Sequence, residues 1–167
     1  MTEPSFVVRR AVPADAPVLA RHRAEMFRDM FRDKGRSFAD AAADALRAAA
    51  EPILREWVAA GSYVGWLAEP AGGGGEIAGG AGLQLRPLLP RPTDDGQAIT
   101  MGPEGYVLNV FVERAWRRRG VARLLMGRVL SYVREHGIAR CTLHPSVEGK
   151  PLYESLGFTP TTELRLR

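Results

Sequence analysis

Three consecutive arginines and a glycine, residues 117–120, are the residue types that would bind an anionic ligand. They lie between an apolar strand pattern at residues 106–113 and a helical apolar stripe that begins at Val121. A helix that starts on small residues leaves its first backbone N–H groups unpaired, and its dipole favours anions there. Arginine side chains beside such donors pair readily with phosphate. The segment therefore predicts a cradle for a phosphate-bearing ligand.

A second segment, residues 150–158, places a tyrosine on a short predicted helix. Pro151 falls in the first turn and Gly157 just past the end, which is the usual asymmetry of helix boundaries. Two leucines four residues apart would dock this helix on a sheet. Tyr153 follows the first of them and would point to one side, where its phenol could reach a ligand.

The elements that must position these two segments follow the order β-α-α-β-β-β-α-β-α-β, which predicts an α/β fold. We expect Pro52 to kink or split the second helix, and Ser37 is a candidate for its cap. Residues 86–103 are rich in Pro, Gly and Asp and are expected to form a long functional or mobile loop. The predicted strands lie at residues 6–10, 63–68, 77–85, 106–113 and 138–143 and around Leu164, and the predicted helices at residues 13–31 and 37–57 and from Val121 and Pro151 onward.

Composition narrows the classes of function. The chain has 167 residues, 46% of them hydrophobic, which suits one folded domain. Its net charge of +4 comes almost entirely from scattered arginines, without an aromatic-interleaved basic patch. This balance favours an anionic small ligand over a nucleic acid.

Other residue types exclude further classes. A single cysteine, Cys141, rules out a disulfide framework and fits a reducing compartment. No apolar run approaches the roughly 20 residues of a membrane span. The histidines lack metal-ligand spacing, so we expect no metal site. The expected location is the cytoplasm, with no membrane partner.

The two segments together resemble motifs of the GNAT superfamily of N-acetyltransferases. In that family a strand leads into Arg/Gln-x-x-Gly-x-Gly/Ala at a helix N-terminus, which Arg117, Gly120 and Ala122 match here. The run PLYESLGF, which begins at Pro151, resembles the family's PLYExLGF segment. The resemblance implies a GNAT-type mixed central sheet flanked by helices, in a single domain over residues 1–167, with acetyl-CoA as the acetyl donor.

The resemblance also implies roles for individual residues. Free N–H groups of a bulged central strand would bind the pantetheine and the acetyl carbonyl, and Tyr153 would protonate the leaving thiolate. Glu104 is the preferred general base, by analogy, and Glu113 is the alternative. Asn109, a lone polar residue in the strand, is expected to be a structural hydrogen bonder. The implied cofactor-binding residues are Val110, Phe111, Val112, Arg117, Arg118, Arg119, Gly120, Val121, Ala122 and Ser146.

The predicted activity is transfer of an acetyl group from acetyl-CoA to a primary amine by direct attack. A catalytically silent sensor of acyl-CoA is the rival hypothesis, because the cofactor grip and the catalytic groups are separable. An arginine-based nucleic-acid binder is a third. The acceptor stays open among small metabolites, antibiotics, peptide N-termini and lysine side chains. Homodimers are common in the family.

Overall fold

The central feature of the computed structural model, which describes residues 5–164 and 166, is a five-stranded sheet. Helices α1 (Ala16–Asp33) and α2 (Asp40–Ala60) precede the second strand, and α3 (Val121–Glu135) and α4 (Lys150–Ser155) follow the central one. Two short strands, β4 (Arg91–Pro92) and β5 (Ile99–Thr100), pair within the long loop. The strands of the main sheet are β1 (Phe6–Arg10), β2 (Tyr63–Pro70), β3 (Gly79–Arg86), β6 (Glu104–Val112) and β7 (Arg140–Leu143).

The strand order is β1-β2-β3-β6-β7. Every neighbouring pair is antiparallel except β6 and β7, which are parallel. Parallel neighbours need a crossover connection, and α3 supplies it between them. The structure therefore confirms the predicted mixed sheet flanked by helices.

Each face of the sheet carries its own apolar cluster. On one face α3 buries Val121, Leu125 and Val129, the predicted stripe, against β2, β3 and β6. On the other face α1 and α2 pack over Tyr63 and Leu67 of β2. Strand β6 lies between the two layers, so both faces of it are covered. This placement explains why its sequence is apolar at nearly every position.

Three expectations about local structure are wrong. Pro52 does not split α2, which runs unbroken and buries Ala43 before the proline and Leu54 after it. Ser37 does not cap this helix, since Ala39 occupies the N-cap position. No strand forms around Leu164 in the described residues 159–164 and 166, and the rest of that predicted strand, Arg165 and Arg167, lies outside the described residues.

Two further features concern the described part of the chain alone. None of its helices is long and apolar enough to cross a membrane. No group of three or more His, Cys, Asp or Glu side chains is placed there to hold a metal ion.

Candidate active site

An opening lies beside the second half of β6. The β6–β7 ladder begins with the pair Glu104 and Arg140 and ends with the pair Val107 and Leu143. Strand β6 then continues to Val112, whereas β7 has ended. We call the space along residues 108–112, on the β7 side of β6, the opening.

A bulge lies in β6 at the start of the opening. The β3–β6 register pairs Gly82 with Leu108 and Gly80 with Phe111, so one residue of β3 faces both Asn109 and Val110. Asn109 has a φ of +54°, a left-handed conformation that asparagine tolerates better than most residues. The predicted bulge of the central strand is therefore present.

The side chain of Asn109 fixes the bulge from behind. Its Oδ1 accepts a hydrogen bond of 2.9 Å from Arg23 of α1, and its Nδ2 donates to the Tyr63 hydroxyl at 3.4 Å. Tyr63 lies so close to β3 that a Cβ at Gly82 would be 2.0 Å from its hydroxyl oxygen. The structural role expected for Asn109 is confirmed.

The direction of the β6 peptide groups follows from its ladder with β3. Glu113 N–H donates to Ala78 O at 2.9 Å, so it points toward β3. Because peptide groups alternate between the two edges of a strand, the Phe111 N–H also points toward β3. The N–H groups of Val110 and Val112 then point into the opening, where they are available to a ligand.

Arg117 is held by the protein itself. Its Nε donates to Val112 O at 3.0 Å, and its other guanidinium nitrogen contacts Asp29 of α1. Arg114 also reaches Asp29, at 3.2 Å. Burial alone would raise the pKa of Asp29, but the hydrogen bonds from the two arginines outweigh it and hold that pKa below its ordinary value. The Arg117 side chain therefore links α1 to β6 and does not extend from the turn into solvent.

The turn that follows presents its backbone. Arg118 and Gly120 have φ values of +63° and +79°, and the first hydrogen bond of α3 runs from Leu124 N to Gly120 O at 3.0 Å. The N–H groups before Leu124 therefore stand at the helix start without a partner inside the helix. A left-handed arginine costs about 1 kcal/mol, a strain typical of binding sites. The backbone, the helix dipole and the curvature at residues 118–122 suit an anion, and we call this segment the anion cradle.

Two predicted arginines flank this cradle. Arg118 and Arg119 are exposed, and the Arg119 guanidinium lies 5.3 Å from the centre of the Trp116 ring. Arg123, one turn into α3, donates to Ser155 Oγ at 2.8 Å and links α3 to α4. The cradle therefore has two exposed cations at its mouth, and a hydrogen bond joins the two helices behind it.

Ser146 and Tyr153 meet at the start of α4. Ser146 Oγ accepts a hydrogen bond of 3.1 Å from Gly149 N, which caps the turn. A Cβ at Gly149 would lie 3.0 Å from the Tyr153 ring and 3.1 Å from Ser146 Oγ. Burial raises the pKa of Tyr153 to about 12, so its phenol stays protonated at neutral pH.

The two predicted bases lie at opposite ends of β6. Glu104 is in the fully paired end, where its Oε1 is 3.0 Å from both Thr142 Oγ1 and Arg140 Nε. It stands six residues before Val110, roughly 20 Å along the strand. Glu113 is 2.6 Å from Arg21 and 3.4 Å from the buried His22. Both carboxylates are therefore engaged by neighbouring cations or by histidine.

Part of this site has no local signal in the sequence. The roles of Glu163, Arg23 and Tyr63 could not be predicted, because their partners lie 19 to 86 residues away along the chain. His144 carried one signal, its position at the end of a predicted strand. That position brings it to the mouth of the opening.

Comparison with known proteins adds an independent finding. The profile described as Acetyltransferase (GNAT) family matches residues 24–158. The solved structure of a GCN5-related N-acetyltransferase from Ralstonia eutropha JMP134 is 31% identical, covers 98% of both chains and has a TM-score of 0.80. A predicted acetyltransferase with acetyl-CoA from Clostridium acetobutylicum is 24% identical, covers 98% of this chain and 96% of its own, and shares the fold at a TM-score of 0.76.

A curated relative matches over a shorter stretch. Mycothiol acetyltransferase from Thermobifida fusca (strain YX) is 39% identical over 69 residues, which are 39% of this chain and 21% of that protein. The match thus spans about a fifth of the relative's length. The family profile, by contrast, covers most of this chain, and the resemblance inferred from the two motifs is confirmed. The chain belongs to the acetyltransferase (GNAT) family.

Proposed function

We propose that this protein transfers the acetyl group of acetyl-CoA to a primary amine by direct attack of the amine on the thioester. The observation that carries the proposal is the continuity of two donor sets. The opening beside the β6 bulge leads directly, through residues 113–116, into the anion cradle at the start of α3. A ligand with a carbonyl at one end and a pyrophosphate further along fits this order of donors.

The backbone supplies most of the cofactor grip in this proposal. The N–H groups at residues 118–122 and the side chains of Arg118 and Arg119 bind the pyrophosphate. The Val112 N–H bonds the pantetheine, and the Val110 N–H polarises the acetyl carbonyl. Such a fixed donor acts as an oxyanion hole, and its removal typically costs about 100- to 1000-fold in turnover. Phe111, whose N–H faces β3, contributes packing, and Ser146 lines the pantetheine side.

Tyr153 is the proposed general acid. Its phenol is protonated at neutral pH, as a tyrosine of the ordinary pKa of about 10 would be, and burial raises its pKa further, to about 12. It can therefore give its proton to the departing thiolate, a step that typically contributes about 100- to 10,000-fold. The proton returns to the phenolate from solvent after the products leave.

The proposal includes several classes of amine acceptor. Metabolite amines, antibiotics, peptide N-termini and lysine side chains all stay within the proposal, as do a homodimeric assembly and a cytoplasmic location. Glu104 stays a prediction as the base, although its ion pair with Arg140 supports a structural role more directly.

The test compares wild type with Tyr153→Phe, measuring acetyl-CoA binding by calorimetry and thiol release with a panel of primary amines. An enzyme of the proposed kind loses about 100-fold or more in turnover and keeps its acetyl-CoA affinity. Tyr132→Phe, on α3, is the matched control and leaves both unchanged. A sensor binds acetyl-CoA but releases no thiol in any variant. Wild-type protein that fails to bind acetyl-CoA at millimolar concentration removes the proposal.

A further inference from the structure

Three side chains from three separate segments form a hydrogen-bonded line at the mouth of the opening. The Tyr106 hydroxyl is 2.7 Å from His144 Nδ1, and His144 Nε2 is 2.9 Å from Glu163 Oε2. Tyr106 belongs to β6, His144 directly follows β7, and Glu163 lies in the C-terminal segment. None of the three belongs to the cofactor grip or is the proposed general acid.

The chemistry of the groups sets the direction of these hydrogen bonds. An ionised carboxylate only accepts, so His144 Nε2 carries the proton that it shares with Glu163. A neutral imidazole then has its other nitrogen free, and Nδ1 accepts the Tyr106 O–H. The line is therefore oriented to pass a proton from the phenol oxygen toward the imidazole.

Its location ties the line to the acetyl site. Tyr106 pairs with Thr142 one step before the β6–β7 ladder ends at Val107 and Leu143. His144 therefore stands where the two strands begin to separate, and the opening starts beside it. Glu104, the base predicted by analogy, lies two residues further back along β6 and is already bound to Arg140.

Neighbouring groups hold the line in place. The Arg86 guanidinium stacks on the Tyr106 ring at 3.6 Å from its centre, and Arg86 Nε donates to Gln84 Oε1 at 3.0 Å. The Tyr106 and His144 rings are 5.5 Å apart. The charged and titratable groups that face His144 and its phenol partner are thus Tyr106, Glu163 and Arg86.

We infer that Tyr106, His144 and Glu163 form a proton relay that deprotonates the attacking amine, an inference that rests on the proposed acetyl transfer. As the new C–N bond forms, the amine proton moves to the Tyr106 oxygen and the phenol proton moves to His144 Nδ1. The C–S bond breaks, and the thiolate takes its proton from Tyr153. Exchange with solvent returns the proton of His144 and restores that of Tyr153, so the reaction consumes no net proton. Tyr106 touches the amine, and Glu163 is a positioning residue.

The experiment measures kcat/KM against pH for wild type, Tyr106→Phe, His144→Gln and Glu163→Gln, with glycinamide as the probe acceptor and acetyl-CoA as donor. We expect His144→Gln to lose roughly 100-fold in kcat/KM at pH 7 and to keep only the pH dependence that the ionisation of glycinamide itself produces. Glu163→Gln loses a smaller part of kcat/KM, because Glu163 only orients the His144 ring. His136→Gln, an exposed histidine stacked on Tyr132 of α3, is the control and keeps the wild-type profile.

Chemical rescue separates catalysis from structure. The His144 side chain is 60% exposed, so added imidazole can enter the space left in His144→Ala and restore part of the rate. The relay is overturned if His144→Gln keeps the wild-type profile, if imidazole rescues nothing, or if wild type binds acetyl-CoA without acetylating glycinamide. Acetyl-CoA affinity and thiol release distinguish the two failures. Absence of binding, or of thiol release with any amine, in wild type removes the proposed function itself. Binding and turnover that persist in wild type, with His144→Gln unchanged, place the fault in the relay alone.

Discussion

The two edges of β6 differ along its last five residues. Toward β3, the ladder continues to the end of the strand, and Phe111 packs against the buried His22 of α1 at 5.0 Å between ring centres. Toward β7, pairing stops at Val107, and the strand continues beside the opening. We call the side of β6 toward β3 the closed edge, because its backbone groups are paired in the ladder. We call the side toward β7 the open edge, because its N–H groups stay free for a ligand.

This difference shows how a rigid donor set is produced. A free N–H on a mobile loop would lose its direction, whereas Val110 and Val112 are held by the ladder behind them. Asn109, which is 2% exposed, fixes the bulge through Arg23 on one side and Tyr63 on the other. Preorganised donors of this kind need no reorganisation when charge develops on a carbonyl oxygen.

Proline at two adjacent positions of β6 should show the largest difference between its two edges. Phe111→Pro removes a ladder hydrogen bond and a buried ring, so we expect the free energy of unfolding to fall by about 3 kcal/mol or more. Val112→Pro removes an N–H that faces the opening and part of a half-buried side chain, but no ladder hydrogen bond to β3. Its free energy of unfolding in urea should stay within about 1 kcal/mol of wild type, and its acetyl-CoA affinity should fall on the order of 10-fold.

Val112→Ala keeps the N–H and is the control for lost side-chain packing. Equal destabilisation by the two prolines would show that the edges of β6 are not different.

The closed edge should also be sensitive to acid. Burial, reinforced by the charge of Arg21, lowers the pKa of His22 to about 4. A histidine whose folded pKa is depressed contributes stability above its unfolded value, about pH 6.5, and loses it as pH falls through the folded one. We therefore expect unfolding free energy to drop by about 3 kcal/mol between pH 6.5 and 4.

Urea unfolding of wild type, His22→Leu and the exposed control His136→Leu measures this drop. The drop should shrink in His22→Leu, because leucine does not titrate, and persist in His136→Leu. Leucine also gives up the 3.4 Å contact between His22 Nε2 and Glu113, so the proteins are compared by the size of the acid-induced drop and not by absolute stability. The same acid sensitivity in all three proteins would remove His22 as its source.

Two substitutions at Asn109, in the bulge, should differ by a smaller amount in stability. Asn109→Gly and Asn109→Ala both delete the amide, but only alanine must bear a Cβ at a φ of +54°. We expect Asn109→Ala to be less stable than Asn109→Gly by about 1 kcal/mol, measured by thermal unfolding. Equal stabilities would mean that the residue does not hold the left-handed conformation in solution.

The parts of the site that could be predicted are those with local signals. The strand, the arginine-glycine turn and the helix of residues 106–135 each follow from periodicity and helix-start chemistry within a few residues. The short helix at Pro151 is recognisable for the same reason. Their family resemblance, confirmed by the profile match, supplied the bulge and the roles of the side chains.

The unpredicted parts depend on distant residues. Arg117 was expected to bind phosphate, but Asp29, 88 residues earlier, holds its guanidinium. Which residue of β6 bulges depends on its pairing with Gly80 and Gly82 of β3. Pro52 is tolerated because tertiary packing on both sides outweighs its local cost. None of these contacts can be recognised from the residues that neighbour each position in the sequence.

The most direct test of the account compares the two glycines at the ends of α3 in an acetyl-CoA titration by calorimetry. Gly120 and Gly137 both adopt left-handed φ values, +79° and +60°, and a Cβ at either would meet nothing within 4 Å. Gly120→Glu and Gly137→Glu therefore carry the same backbone strain and the same added charge. We predict micromolar binding by wild type and Gly137→Glu and none by Gly120→Glu. Binding by Gly120→Glu as tight as that of wild type would contradict the anion cradle at the start of α3.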